Sequence, residues 1–552
     1  MNRTRFKIAI WLILAMGIVT GSLFMVQQIG RLITYFQEGA DPASALNIQP
    51  NKPLDWPIDL TWRPDINQSG RPLDPLTRSQ IESVYIRAWL QWHFSYTKGE
   101  PFGLGTYFTG PALAAIEESV TTASEQGLSV AQTDTRHDLE LTFYSADGSI
   151  VAFTDHQANV MRMVSDETGE WVFSAETTAT YDVVMLVDKG RWRIRHWLRT
   201  ASTSPSPPMG QANLPIDIVG INYYPQATPW ELFWTEYDRD IIADDFERMA
   251  ELGLNAVRIF IPYEQFGADQ VDEDLLDTVI ELLDQAERDN IGIIVTLFDF
   301  RSDYSLLRWN HADAHLKTIV TALRDHPALL AWDVKNEPDR DYDNNGQALV
   351  DAWLRHAIDQ VRYHDPLHPI TIGWSLPEKA AVLADAVDFV SFHYYAPADQ
   401  FEATYATLRE RVGSNRPIVL TEFGLPTWNS YFFPNGHSSA EQAVYYADMR
   451  RAMQATGISG YMAWTLYDFT KVPSNVAGGL PWQTGPQRQL GLYDTDGNAK
   501  PAAALLASDA NFDMVTPLPA WARFTKPFWR TVAVSGLLTI VAGYRMLRRY
   551  KR

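Results

Sequence analysis

Eight short apolar runs separated by helical patterns fill the second half of this chain and restrict its fold more than any other feature. They lie at 216–220, 256–261, 292–297, 329–334, 370–372, 387–392, 418–420 and 460–465. Each is near strand length and continuously apolar, as expected of a strand covered on both faces. Between them, stretches such as 241–252, 275–289 and 347–363 repeat apolar residues at helical spacing. Strands alternating with helices call for a parallel sheet with crossover helices. Two architectures satisfy this, a closed (β/α)8 TIM barrel and an open doubly wound sheet. No Gly-rich phosphate loop follows the first run, which weighs against a nucleotide-binding open sheet. The expectation is α/β, a TIM barrel over 215–508.

In such a barrel, chemistry sits at the C-terminal ends of the strands. The polar residues there are Arg258 in the second run, Lys335-Asn336-Glu337 after the fourth, His393-Tyr394-Tyr395 after the sixth, Thr421-Glu422 after the seventh and Trp464 in the eighth. Glu337 and Glu422 are far apart in sequence, but a barrel would bring their strand ends together as a carboxylate pair. A pair of that kind does the work of most glycoside hydrolases. The set Arg, Asn-Glu, His-x-Tyr, Glu and Trp, in this order, resembles clan A glycoside hydrolases. Trp332-x-x-x-Asn336-Glu337-Pro338 looks especially like family 5, the group of cellulases and mannanases.

The resemblance implies that Glu337 is the general acid/base and Glu422 the nucleophile of a retaining reaction. It implies that Arg258, Asn336, His393, Tyr395 and Trp464 bind substrate or support that pair. Asn336 would bond the sugar 2-hydroxyl and Trp464 would lie beneath the ring. Arg258 and the Tyr395 hydroxyl would favour the ionised form of Glu422 by charge and hydrogen bonding. One departure stands out: Asp299 ends the third run, where many family members carry a histidine. The alternative roles are transglycosylation of a surface glycan and a catalytically silent glycan-binding scaffold. No metal or cofactor is expected. Asp341-x-Asp343-x-Asn345-Gly346 copies the start of a calcium loop, but Ala352 stands where that loop needs a bidentate glutamate.

Ahead of the barrel, 77–200 reads as a smaller α+β cone-like domain. A helical pattern runs through Ile81, Val84, Tyr85, Ala88, Trp89 and Trp92. Strand-like runs follow at 139–144, 150–155, 177–187 and 191–198, with turns at Asp147-Gly148 and Lys189-Gly190. Helix first, then a curved antiparallel sheet, resembles the nuclear transport factor 2-like fold. Residues 36–76 read as an irregular lead-in and the Ser/Pro-rich 201–214 as a linker.

Both ends carry membrane signals. Arg3, Arg5 and Lys7 precede an apolar stretch at 8–26, long enough to span a bilayer, so 1–35 is expected to be an uncleaved anchor, with a cleaved signal as its rival. At the other end 531–544 is uncharged and Arg545, Arg548, Arg549, Lys551 and Arg552 follow, so 527–552 is expected to be a second anchor. That segment rises only about 21 Å, and a surface-lying helix is its rival. Both basic flanks would face the cytoplasm, leaving the centre outside the cell membrane. The partners expected are a β-linked glycan and the membrane. A net charge of −21 argues against nucleic acid. The absence of cysteine excludes disulfides and thiolate chemistry. Oligomeric state stays open.

Overall fold

The computed structural model describes residues 57–203, 214, 217–431, 436–507, 509–513 and 515–550. The chain divides into two compact units, Met1–Ser204 and Pro205–Arg552. The N-terminal anchor and most of the linker anticipated above lie outside the described residues.

The first unit sets two helices against a sheet. Helix α1 (Pro75–Lys98) starts where Asp74 caps it, accepting from the Thr77 amide at 2.9 Å, and ends at Gly99 in the left-handed conformation. Its Ile81, Tyr85, Ala88 and Trp89 are buried, with Val84 and Trp92 packed beside them. Helix α2 (Gly110–Glu125) adds Ala112 and Ile116 to the same core. Strands β1 (Asp59–Trp62) and β2 (Ser69–Gly70) pair with β3 (Ser129–Tyr144). Strands β4 (Ile150–Ser165), β5 (Trp171–Asp188) and β6 (Arg191–Thr203) continue the sheet antiparallel.

β3 begins ten residues before its apolar run, because its first half carries polar residues that are buried in pairs. His137 sits between Asp155 (2.6 Å) and Asp134 (2.8 Å), His93 bonds the other oxygen of Asp134, and the Tyr85 hydroxyl donates to Asp155 at 2.8 Å. Burial disfavours the His137 cation, but carboxylates on both ring nitrogens outweigh it and push the imidazole up to about 9. Asp155 thus belongs to a buried network, whereas neighbouring His156 faces Glu140 at 2.7 Å.

The second unit is a closed barrel of eight parallel strands: β7 (Ile218–Asn222), β8 (Ala256–Pro262), β9 (Gly292–Asp299), β10 (Leu329–Asn336), β11 (Ile370–Trp374), β12 (Val390–Tyr394), β13 (Ile418–Phe423) and β14 (Gly460–Trp464). β14 pairs with β7 over Gly460↔Ile218 to Trp464↔Asn222, which closes the ring and eliminates the open sheet. Ile218, Ala256, Ile294, Ala331, Val419 and Met462 fill one buried cluster among these strands. Several crossover helices are capped as their sequences dictate. Asp238 and Asp272 cap Arg239–Glu251 and Glu273–Arg288, and Ser438 and Glu441 form a reciprocal box on Ser439–Thr456.

The expected C-terminal span is corrected. A helix does form at Pro527–Tyr550, with Val534, Leu537, Leu538 and Ile540 exposed. Among the described residues, however, no helix is long and apolar enough to cross a membrane. Arg530 in its first turn and Arg545 near its end leave too few apolar residues between, and Thr531, Ser535, Gly536, Thr539 and Gly543 dilute them further.

The strand that leads into Glu337 is tied by Asp365 to the turn before β11. That buried carboxylate accepts from the Trp332 indole at 2.8 Å, from the His368 ring at 2.7 Å and from the Leu367 amide at 2.9 Å. Burial raises the Asp365 carboxyl, but those bonds prevail and hold it down at about 2. A lowered folded-state value stabilises the fold above the unfolded value of 3.8 and is lost as pH falls through about 2. Asp365→Asn should therefore remove about 2 kcal/mol of the acid-side loss. Urea melts of both proteins between about pH 5 and pH 2 measure it. Parallel stability curves would contradict this account.

Candidate active site

The strand ends converge on one buried guanidinium. Arg258 reaches inward from β8 and is fully enclosed. Its Nε and Nη2 donate to Asp333 Oδ2 at 2.9 and 2.6 Å, and Nη2 also to Asn336 Oδ1 at 3.0 Å. Nη1 donates to Asn222 Oδ1 at 3.0 Å and to Glu422 Oε1 at 2.8 Å. An arginine has five N–H groups, and all five are used. Burial alone would lower this guanidinium, but Asp333 and Glu422 reverse the direction and raise it.

Asp333 is equally saturated. Besides Arg258, its Oδ2 accepts from Thr296 Oγ1 at 3.0 Å and its Oδ1 from the Gly373 amide at 2.9 Å. Asn222 in turn donates to the carbonyls of Thr421 (2.7 Å) and Ala463 (3.1 Å). Seven of the eight strands, all but β12, are thereby tied together around Arg258 and Glu422.

Glu422 takes its second hydrogen bond from the Tyr395 hydroxyl, 2.8 Å from Oε2. Desolvation of its hydroxyl and the carboxylate beside it raise that phenol well above its ordinary value, so it stays a donor. Glu337 follows β10 with φ 48, a left-handed backbone uncommon outside glycine and found at constrained functional positions. His393 Nδ1 lies 3.0 Å from Glu337 Oε1 and 3.3 Å from Glu422 Oε2. Arg340 Nε lies 2.8 Å from Glu337 Oε2. Burial pushes the Glu337 carboxyl up, but His393, Arg340 and Arg258 together hold it below its ordinary value.

An oxygen of Glu337 and an oxygen of Glu422 lie within 4.8 Å of each other, with a His393 nitrogen inside the same limit of both. These three side chains are also the group that could hold a cation here. Cationic and phenolic donors already occupy both carboxylates, which opposes it. Asp284, Glu287 and His326 form a second possible cluster on the surface. The calcium-like segment is helical instead: Tyr342–Asn345 is a helix, and Asp341 accepts from the Tyr304 hydroxyl at 2.6 Å, 3.5 Å from Lys335.

All seven site residues anticipated from the sequence gather at this end of the barrel. Trp464 forms a wall with Phe260 (6.0 Å between ring centres), Tyr224 (6.2 Å) and Trp230 (6.3 Å). Trp234 belongs to the core, its indole donating to the Phe260 carbonyl at 2.9 Å. Asp299 is buried at the end of β9. Burial pushes it up to about 6 against Lys335, Arg258 and a hydrogen bond from Asn336. Asn336 is therefore clamped, its oxygen by Arg258 and its amide toward Asp299. Sequence reasoning missed Asn222, Thr296, Asp333 and Arg340. Asp333 carried a usable signal, since a lone carboxylate within an apolar strand needs a buried cation and Arg258 was the counterpart.

A TIM barrel whose strand ends present two enclosed, close carboxylates has the layout of a glycoside hydrolase. Residues 234–474 match the family model described as Glycosyl hydrolases family 2, TIM barrel domain. The chain is 27% identical over 224 residues to putative mannan endo-1,4-beta-mannosidase 9 of Oryza sativa subsp. japonica, covering 33% of this chain and 49% of that protein. It is 18% identical over 320 residues to mannan endo-1,4-beta-mannosidase 5 of Arabidopsis thaliana, covering 43% and 74%. The chain spans about half the length of several curated relatives it matches. Among solved structures, an exo-beta-1,4-mannosidase from Opitutaceae bacterium strain TAV5 aligns with TM-score 0.45 and 20% identity over 58% of this chain and 64% of that one. The matched model is that of family 2 rather than family 5. The barrel is a TIM barrel, and its segment 234–474 resembles the barrel domain of glycosyl hydrolases.

A Cβ at Gly373 would lie 2.6 Å from Arg258 Nη2 and 3.1 Å from Asp333 Oδ2. Arg258 cannot yield, being fixed by five bonds. Gly373→Ala should destabilise the protein by about 1–3 kcal/mol, read as a lower urea midpoint with an unchanged slope. An unchanged midpoint would show that the guanidinium is free to move.

Proposed function

We propose that the barrel is a retaining glycoside hydrolase acting on a β-linked glycan, with Glu337 as general acid/base and Glu422 as nucleophile. The observation that carries this reading is the closeness of the two carboxylates, an oxygen of each lying within 4.8 Å of an oxygen of the other. Inverting enzymes hold theirs about 6.5–9.5 Å apart to admit water, and retaining enzymes about 5–5.5 Å. Glu422 is fixed by Arg258 and Tyr395 with one donor on each oxygen, as an attacking group should be. Asn336 keeps one amide hydrogen for a sugar hydroxyl. Trp464, backed by Tyr224 and Phe260, offers an apolar face for the ring.

The names of the relatives make β-1,4-linked mannan the first substrate to try. Transfer to a sugar hydroxyl in place of water uses the same residues, so transglycosylation is the companion reading. A silent binding scaffold is disfavoured, because binding alone needs neither glutamate. We read the first unit as a nuclear transport factor 2-like accessory domain, from its helix-then-sheet order. The basic residues at 1–7 and the apolar stretch at 8–26 support an anchor that leaves the barrel outside the cell membrane.

The test is a screen of β-1,4-mannan, glucan and mixed oligosaccharides with wild type, Glu337→Gln and Glu422→Gln. Glu337→Gln should lose about 10²–10⁴-fold in kcat/KM, the range for general acid–base loss, and Glu422→Gln, which lacks the attacking carboxylate, should lose at least as much. Proton NMR of early product should show the β-anomer first. An α-anomer first, or a variant as active as wild type, would refute the reading.

A further inference from the structure

Glu337 carries a donor on each of its oxygens, and the two differ in setting. His393 is buried on β12 and wedged between both carboxylates. Arg340 stands three residues beyond Glu337 on the turn Pro338–Asp341, its side chain 69% exposed against 16% for Glu337. The left-handed backbone at Glu337 and the tight turn after it bring Arg340 back over the carboxylate. The other charged groups facing Glu337 are Arg258 from β8 and Glu422 from β13, with the Tyr395 phenol beside them. Of the cations facing Glu337, Arg340 alone is exposed, and it can leave without repacking the barrel, whereas Arg258 and His393 are buried.

We propose that Arg340 is a positioning residue that latches Glu337 in its ionised form, opposing the first half of the reaction and supporting the second. This rests on the acid/base role proposed for Glu337. In the first half, the Glu337 proton passes to the glycosidic oxygen, the bond from that oxygen to the anomeric carbon breaks, and a Glu422 oxygen bonds to that carbon. The leaving group departs as a neutral alcohol. In the second half, water bonds to the anomeric carbon and gives a proton to the Glu337 carboxylate. The bond to Glu422 breaks and its electron pair returns to that carboxylate. Glu337 therefore enters the first half as an acid and the second as an anion. A guanidinium on Oε2 stabilises the anion and competes with the proton for that oxygen. The downward direction of the Glu337 carboxyl, against the effect of its own burial, agrees with this. A substrate whose glycosidic oxygen approaches Oε2 displaces Arg340 outward, and the arginine returns once the alcohol has left.

Arg340→Gln and Arg340→Lys test the latch in the full chain. The Glu337 carboxyl is titrated by carbon NMR on substrate-free protein labelled at glutamate, with its resonance assigned by Glu337→Gln. In parallel, kcat/KM is followed against pH on the substrate found in the screen. Removing a cation raises a carboxyl, so Arg340→Gln should move the Glu337 midpoint and the alkaline limb of kcat/KM up by about one pH unit. Arg340→Lys should restore most of the wild-type value. With an aryl glycoside of good leaving ability, Arg340→Gln should also show a larger burst, because the second half slows. An unmoved Glu337 midpoint in Arg340→Gln overturns the latch. The NMR arm needs no turnover. If wild type proves inactive on every glycan, the glycosidase reading fails while the titration still decides the latch.

Discussion

Arg258 is the group on which the rest of the site depends. A buried guanidinium is tolerable only when each donor finds an acceptor, because an unpaired internal charge costs several kcal/mol. Here its five N–H groups meet Asp333, Asn336, Asn222 and Glu422, drawn from β7, β10 and β13. The same bonds that offset its desolvation also fix the relative heights of those strands. Glu422 thus has its place set by a bond that the barrel cannot loosen without stranding Asp333. Breaking such a pair by removing one partner typically costs about 3–5 kcal/mol, so the site's geometry and the barrel's stability are one problem.

The two glutamates differ through what surrounds them. Glu422 is gripped from below by Arg258 and from the side by Tyr395. Glu337 hangs on a strained backbone, held by a buried histidine and a solvent-exposed arginine. One environment is fixed and the other can change when a ligand enters. That asymmetry suits a pair in which one carboxylate must attack from a set position and the other must gain and lose a proton. Asp299 adds a third carboxyl nearby, pushed up to about 6 by its burial, and it braces Asn336 rather than standing free.

Much of this was legible in the chain. All eight strands fall on or beside the apolar runs, because barrel strands are covered on both faces and read as unbroken hydrophobic stretches. Several extend past the last apolar residue. β9 runs on to Asp299 and β10 to Asn336, since the barrel interior accepts polar side chains that pair there. The charged and aromatic site residues at those ends were legible in the sequence. Asn222 and Thr296 were not, because a neutral polar residue at a strand end gives no sign of its partner. Arg340 depends on the positive φ of Glu337, which sequence does not reveal. β3 was shortened for a related reason, as Asp134 and His137 look like surface residues until His93, Tyr85 and Asp155 are seen around them. The C-terminal helix formed where its apolar residues lie, but its arginines and small polar residues left it short of a span.

The central claim is that Glu422 attacks the anomeric carbon while Glu337 serves as acid and base. Its most direct test is trapping with a 2-deoxy-2-fluoro β-glycoside of the preferred sugar, followed by intact-mass and peptide mass spectrometry. One fluoroglycosyl adduct should form, mapped to the peptide carrying Glu422 and absent in Glu422→Gln. An adduct on Glu337, or turnover of the natural glycan with no adduct and inverted product, would contradict the account.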